Sequence, residues 1–199
     1  MKKFTLIFAL VLATSIAFGQ FSIGPKIGFN TNKLTTEVND YASDAKNNFN
    51  FGAFARIGTK FYLQPEVNWL TIGGVLENKG LAVPLKTEIE MKSIEIPVLV
   101  GVRLVNLGVG NVRILLGPSG TIVMDKTVKP DAGITEPIKE ADLEDLIWGF
   151  NVGAGVDILM FTLDVRYQMG LNEVLTKVQN FDINSKNNMF AVSLGWKIL

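Results

Sequence analysis

Over much of the chain beyond residue 20, apolar and polar side chains alternate with a period of two. No apolar run in that stretch is long enough for a helix to cross a bilayer. Phe161, Leu163, Val165, Tyr167 and Met169 interleave with Thr162, Asp164, Arg166 and Gln168, and Phe61, Leu63, Pro65, Val67 and Trp69 interleave with Tyr62, Gln64, Glu66 and Asn68. Successive side chains of a strand point to opposite faces, so each segment has one apolar and one polar side. Mean hydropathy is nonetheless positive, at +0.28. Membrane embedding would therefore have to be by strands, and in hydrocarbon their backbone polar groups are satisfied only if the sheet closes on itself.

Eight segments carry this pattern: Phe21 to Thr31, Phe49 to Gly58, Phe61 to Thr71, Glu90 to Val105, Val112 to Met124, Trp148 to Leu159, Phe161 to Leu171 and Asn188 to Ile198. Each is near or above the roughly 9 to 11 residues of a tilted membrane-spanning strand. Their connections alternate in length. Long polar ones fall at residues 32–48, 72–89, 125–147 and 172–187, and short ones at 59–60, 106–111 and around 160. Barrels of outer membranes segregate long extracellular loops from short periplasmic turns in this way. The expected fold is all-β, an eight-stranded antiparallel up-and-down transmembrane β-barrel over residues 20–199. A soluble lipid-binding barrel would need the opposite sidedness, with Leu163 and Val165 inside and Asp164 and Arg166 outside.

The segment before the barrel has the layout of a cleavable signal peptide, residues 1–19. Lys2 and Lys3 precede the apolar run Phe4 to Ile16, and Ala17-Phe18-Gly19 supplies small residues before Gln20. Its removal lowers 19 basic side chains to 17 against 19 acidic ones, a formal charge of −2. This balance argues against a nucleic-acid partner. The chain has no His and no Cys, which removes Ser-His and Cys-His nucleophiles, zinc and haem ligation, and disulfides. No catalytic residue, cofactor or metal site is expected.

If the apolar register faces lipid, the opposite register fills the lumen. It contributes a charge network of Lys26, Arg56, Glu66, Glu95, Arg103, Arg113, Asp157, Asp164, Arg166 and Lys197. Eight strands enclose only enough space for side chains, so these charges are expected to pair. In particular, Glu95 is expected to pair with Arg103, Arg113 or Arg166. Asn30, Asn50, Gln64, Asn68, Asn151 and Gln168 share that register. Phe29, Trp69, Trp148, Phe150, Tyr167, Phe181, Phe190 and Trp196 form an outward aromatic set. Pro25, Pro65, Pro97 and Pro118 fall inside segments and predict bulges or strand ends. Residues 125–147 carry a local charge of −4, and the spacing of Leu143, Leu146 and Ile147 predicts helix over Glu140 to Ile147. That loop offers an epitope for a partner protein.

Three stretches resemble a known family. Phe21-Ser22-Ile23-Gly24-Pro25-Lys26-Ile27-Gly28-Phe29-Asn30, Phe61-Tyr62-Leu63-Gln64-Pro65-Glu66 and Ser93-Ile94-Glu95-Ile96-Pro97-Val98-Leu99-Val100-Gly101 are similar to strands of the porin-like, PorT-type outer-membrane β-barrel family of Bacteroidetes. The resemblance implies location in the cell outer membrane, no established catalytic residues, and contact with outer-membrane lipid. Such barrels end in an aromatic residue read by the barrel-assembly machinery, whereas here Trp196 lies three residues before Leu199. The expected function is that of a non-enzymatic barrel with a filled lumen, structural, adhesive or accessory in the envelope, meeting an envelope or extracellular protein through its loops. The alternative is a narrow porin-like channel for small solutes or ions.

Overall fold

The computed structural model describes residues 21–36, 41–44, 46–78, 85–106, 108–130, 143–172, 174 and 185–198. It contains strands β1 (Phe21–Thr36), β2 (Tyr41–Asp44), β3 (Lys46–Gly58), β4 (Phe61–Asn78), β5 (Leu85–Asn106), β6 (Gly110–Pro130), β7 (Leu146–Ile158), β8 (Phe161–Gly170) and β9 (Ser185–Trp196). Every pairing is antiparallel: β1 pairs with β3, each strand from β3 to β8 pairs with the next, and β1 closes the ring against β9, from Lys26 opposite Gly195 to Thr36 opposite Ser185. Eight strands complete the cylinder. The short β2 adds to β4 alone, from Tyr41 opposite Asn78 to Asp44 opposite Val75.

Three connections at one end are only two or three residues long, at 59–60, 107–109 and 159–160. Gly58, with φ 125°, and Gly108, with φ 80°, supply turn conformations that a Cβ disfavours, and Leu159 takes φ 51° in the third turn. All the long connections lie at the other end.

Along most of the cylinder the sidedness is apolar outside and polar inside. In β8, Phe161, Leu163, Val165, Tyr167 and Met169 are exposed, while Thr162, Asp164, Arg166 and Gln168 are buried. The outward set includes Phe29, Phe49, Phe51, Trp69, Trp148, Tyr167, Phe190 and Trp196. Phe51 and Trp69 stack with centroids 5.5 Å apart. Phe181 lies outside the described residues.

Toward the long-loop end the strands run past the predicted segments, and this corrects the expected loop boundaries. Residues 72–78, 85–89 and 125–130 are strand. Here the polarity inverts. Thr87, Ile89 and Met91 are buried inside, while Lys92 is exposed outside beside half-buried Glu88 and Glu90. Pattern reading missed these extensions because it looked for an apolar outer face, whereas a strand standing clear of hydrocarbon hides its apolar side in the barrel. At about 3.3 Å per residue and a 40° tilt, the 22 residues of β5 rise about 55 Å, roughly twice the height of an apolar band of about 25 Å.

Two further expectations are corrected. The register is continuous at Pro25, Pro65, Pro97 and Pro118. A strand N–H faces only one neighbour, so each proline removes one donor without inserting a residue. The register shifts fall instead between Lys92 and Ser93, opposite Met124, and between Arg103 and Val105. Residues 143–147 are not helical: Leu143 forms an isolated bridge, and Leu146 and Ile147 open β7. The four-residue spacing from Leu143 to Ile147 is also two strand periods, so it could not distinguish helix from strand.

Candidate functional site

The inward register gathers the charges into two linked groups. Midway along the barrel, the Glu66 carboxylate accepts from Lys26 Nζ at 2.7 Å, Arg166 Nη1 at 2.9 Å, Gln64 Nε2 at 2.7 Å and Asn68 Nδ2 at 3.1 Å. Closer to the short turns, Arg56 Nη1 donates to Asp157 Oδ2 at 2.7 Å, and Arg113 Nε donates to Asp157 Oδ1 at 3.2 Å. Arg113 Nη2 donates to both Asp164 Oδ1 and Thr162 Oγ1. Arg56 Nε reaches Gln64 Oε1 at 2.7 Å and joins the two groups.

These bonds cross the cylinder. In the ring order β4, β3, β1, β9, β8, β7, β6, β5, Glu66 on β4 and Arg166 on β8 face each other across the full diameter. So do Arg56 on β3 and Asp157 on β7. Side chains of opposite walls meet on the axis with nearly no exposure: Glu66 is 2 % exposed, Arg113 0 % and Asp157 1 %. Such buried charges persist only when paired and hydrogen-bonded.

Of the ten charges read from the sequence, Lys26, Arg56, Glu66, Glu95, Arg113, Asp157, Asp164 and Arg166 are buried within the lumen. Arg103 and Lys197 are half-buried at the short-turn rim. The expected pairing of Glu95 with an arginine does not form. Arg166 is taken by Glu66, Glu95 Oε2 accepts from Asn68 Nδ2 at 3.1 Å, and Glu95 Oε1 has no hydrogen-bond partner. Arg103 Nη1 donates to the carbonyl oxygens of Gly58 and Thr59.

Tyr62 was not among the predicted site residues, although it shares the inward register of Gln64, Glu66 and Asn68. Its ring carries three guanidinium groups, with Arg56 at 5.0 Å, Arg103 at 5.5 Å and Arg113 at 5.9 Å from the centroid, a cation–π platform. Its hydroxyl accepts from Arg113 at 3.2 Å. Gly101 leaves the space the Tyr62 ring occupies, and Gly155 leaves that of the Arg113 guanidinium and the Asp164 carboxylate.

Above the charges sits an apolar cluster of Leu70, Ile72, Ile89, Met91, Leu143, Ile147, Val174 and Met189. Leu143 and Val174 come from connections and fold into the mouth. Val123 N donates to Asp145 O at 2.8 Å, Glu144 N donates to Val174 O at 3.0 Å, and Lys126 pairs with Asp145 at 2.6 Å. Among the described residues no acidic cluster is placed to hold a metal ion.

A closed eight-stranded barrel with an apolar outside, a charged inside and segregated loop lengths is an outer-membrane-type β-barrel protein. The sequence profile of the outer membrane protein beta-barrel domain family matches residues 13–176, and the chain belongs to that family. It is located in the outer membrane. Among solved structures it resembles OprG of Pseudomonas aeruginosa, with 11% identity, 90% of this chain and 95% of that one covered, and a TM-score of 0.53. Neisserial surface protein A aligns at 12% identity over 88% of this chain and 97% of that one, with a TM-score of 0.48. Ail of Yersinia pestis, solved with the heparin analogue sucrose octasulfate, aligns at 9% identity over 90% and 99%, with a TM-score of 0.47. No curated protein matches the chain.

Proposed function

We propose that this is a non-enzymatic outer-membrane barrel with a sealed lumen, whose work is done by its long-loop end as a structural, adhesive or accessory element of the envelope. The observation that carries this reading is the pair of ion pairs spanning the full diameter, Glu66 with Arg166 and Arg56 with Asp157. A solute would have to break both and then displace the apolar cluster above them. Lys26, Arg56, Glu66, Arg113, Asp157, Asp164 and Arg166 are occupied with each other across the lumen. Within the family, the three motifs around Lys26, Gln64 and Glu95 favour the porin-like, PorT-type group, and residues 1–19 are read as the signal peptide that exports the chain.

The long-loop end suits recognition because β4, β5 and β6, at 18, 22 and 21 residues, stand higher than β7, β8 and β9, at 13, 10 and 12. The result is a one-sided wall with ion pairs on its outer face, Lys92 with Asp125 at 2.9 Å and Lys129 with Glu90 at 3.5 Å. Planar-bilayer recording tests the sealed lumen. The folded chain should insert without unitary conductance steps, and stable ohmic steps from the unaltered protein would overturn the reading in favour of a narrow channel. Labelling intact cells with a membrane-impermeant amine reagent tests the wall: Lys92 and Lys129 should react while Lys60, at a short turn, stays protected.

A further inference from the structure

The two halves of the barrel's perimeter carry charge differently on their outer faces. On the tall wall of β4, β5 and β6 both signs occur above the apolar band, and Lys92 and Lys129 are paired there with Asp125 and Glu90. Strands β9, β1 and β3 contain no Asp or Glu, and the one carboxylate of β8, Asp164, is buried in the lumen. Lys33 on β1 and Lys186 on β9 are nevertheless exposed on that side. Among the described residues neither ammonium group has an ion pair or a hydrogen bond.

The two lysines are neighbours. Lys33 lies opposite Asn188 and Lys186 opposite Thr35, so they stand diagonally across one antiparallel pair, with Cβ atoms about 7 Å apart. Lys33 is in phase with the lipid-facing Phe29, and Lys186 with the lipid-facing Phe190. Phe29 and Phe49 meet edge-to-face with centroids 4.2 Å apart and form, with Phe190, an aromatic belt of the kind found at a membrane–water boundary. At about 3.3 Å per residue and a tilt of about 40°, Lys33 stands about 10 Å beyond Phe29 along the axis. Its ammonium is therefore at the height of the lipid headgroups, with its apolar stem over the belt. Two like charges side by side repel each other unless an anion sits between them.

We propose that this low side of the barrel docks a lipid of the outer leaflet, with its phosphate held between Lys33 and Lys186 and its acyl chains against Phe29 and Phe190. A phosphate offers several acceptor oxygens, so it takes a hydrogen bond from each ammonium at once. A lipid is the occupant because the lysines continue the face that already lies in hydrocarbon. Strands β8 and β9, at 10 and 12 residues, rise little above that face, and Leu171, just past the end of β8, is still apolar and 56% exposed. The headgroup layer is what a rim this low meets. On the tall wall the carboxylates beside Lys92 and Lys129 already answer their charge. The docking does not depend on whether the lumen conducts.

Site-resolved labelling tests the docking. The folded full chain in phosphate-free dodecyl maltoside micelles is acylated with trace amine-reactive ester. Lys33 and Lys186 are compared with Lys92, which stands at the same end of the barrel but is paired with Asp125. Phosphatidic acid, mixed into the micelles at about four times its half-saturating fraction, should slow Lys33 and Lys186 about fivefold relative to Lys92. Equal slowing of all three lysines reports micelle surface charge alone and overturns the proposal, as does no slowing. Inorganic phosphate in place of the lipid should leave the ratio unchanged; equal protection by it assigns the lysines to a free ion and overturns the lipid docking. In the variant Lys33→Gln, checked for folding by its unboiled gel mobility, Lys186 should lose its protection because the phosphate is shared. A Lys186 that stays fully protected rules out the paired site.

Discussion

Replacing Glu66 by glutamine keeps the shape of the side chain and removes an anion shared by two cations. In the folded protein its Oε2 lies 2.7 Å from Lys26 Nζ and 2.9 Å from Arg166 Nη1. With an effective dielectric constant of about 20, each contact is worth about 6 kcal/mol of gross Coulomb energy. Removing one partner of a buried pair typically costs about 3 to 5 kcal/mol, because the other charge is stranded without water. Two cations are stranded here, but the amide oxygen still accepts one hydrogen bond and Glu95 and Asp164 remain nearby. The expected loss for Glu66→Gln is therefore about 3 to 5 kcal/mol rather than twice that. Urea unfolding in lipid vesicles, followed by tryptophan fluorescence and by unboiled gel mobility, measures it. The double variant Lys26→Met with Glu66→Gln should cost less than the sum of the single losses, with a coupling of about 1 to 3 kcal/mol. A loss below about 1 kcal/mol for Glu66→Gln, or strict additivity with Lys26→Met, would refute the claim that these charges hold opposite walls together.

Three other substitutions probe separate parts of the barrel. Val165→Arg places a charge on the lipid face of β8, where the valine is 40% exposed; vesicle unfolding should show a loss of about 2 to 4 kcal/mol near the bilayer midplane. Gly101→Ala drives a methyl group into the Tyr62 ring, and the displaced ring should cost about 1 to 3 kcal/mol in the same assay. Ile89→Ala, at a fully buried site in the mouth, should cost about 2 to 5 kcal/mol and expose the wall to added protease, while bilayer recordings stay silent because the charges beneath are untouched.

The spanning strands were legible because hydrocarbon imposes a simple rule on their outer face, and Leu163 and Val165 obey it as plainly as Ile96 and Val98. The inward charges followed from the same rule by elimination. Their partners did not follow. Whether Arg166 meets Glu66 or Glu95 depends on the stagger of strands four places apart around the ring, and no sequence spacing records it. Glu66 lies one strand period nearer the short turns than Asn68, and that shift hands Arg166 to Glu66 and leaves Glu95 to the Asn68 amide. Tyr62 could have been found, since it stands in phase with Gln64 and Glu66. A reading of the polar register that collects charges and amides, however, passes over a phenol ring.

β5 shows why the upper wall was hidden. From Ser93 to Gly101 the odd positions are lumenal and include Ser93 and Glu95, while the even positions Ile94, Ile96, Val98 and Val100 face lipid. Below residue 93 the odd positions remain inside, but they are now Thr87, Ile89 and Met91, and the even ones are Glu88, Glu90 and Lys92. The geometry of β5 is continuous, and only the solvent outside it has changed. Across the junction the apolar class jumps from odd to even positions, so a pattern that follows apolar residues registers a slip and ends the strand. The partner strand carries its own adjustment at the same height, where Met124 is the extra residue between Val123, opposite Ser93, and Asp125, opposite Lys92. Beyond it Val128 on β6 is brought opposite Ile89 and packs against the mouth cluster. One strand thus crosses from hydrocarbon into water by exchanging which face is greasy, and the cluster it hides there closes the barrel from the outside.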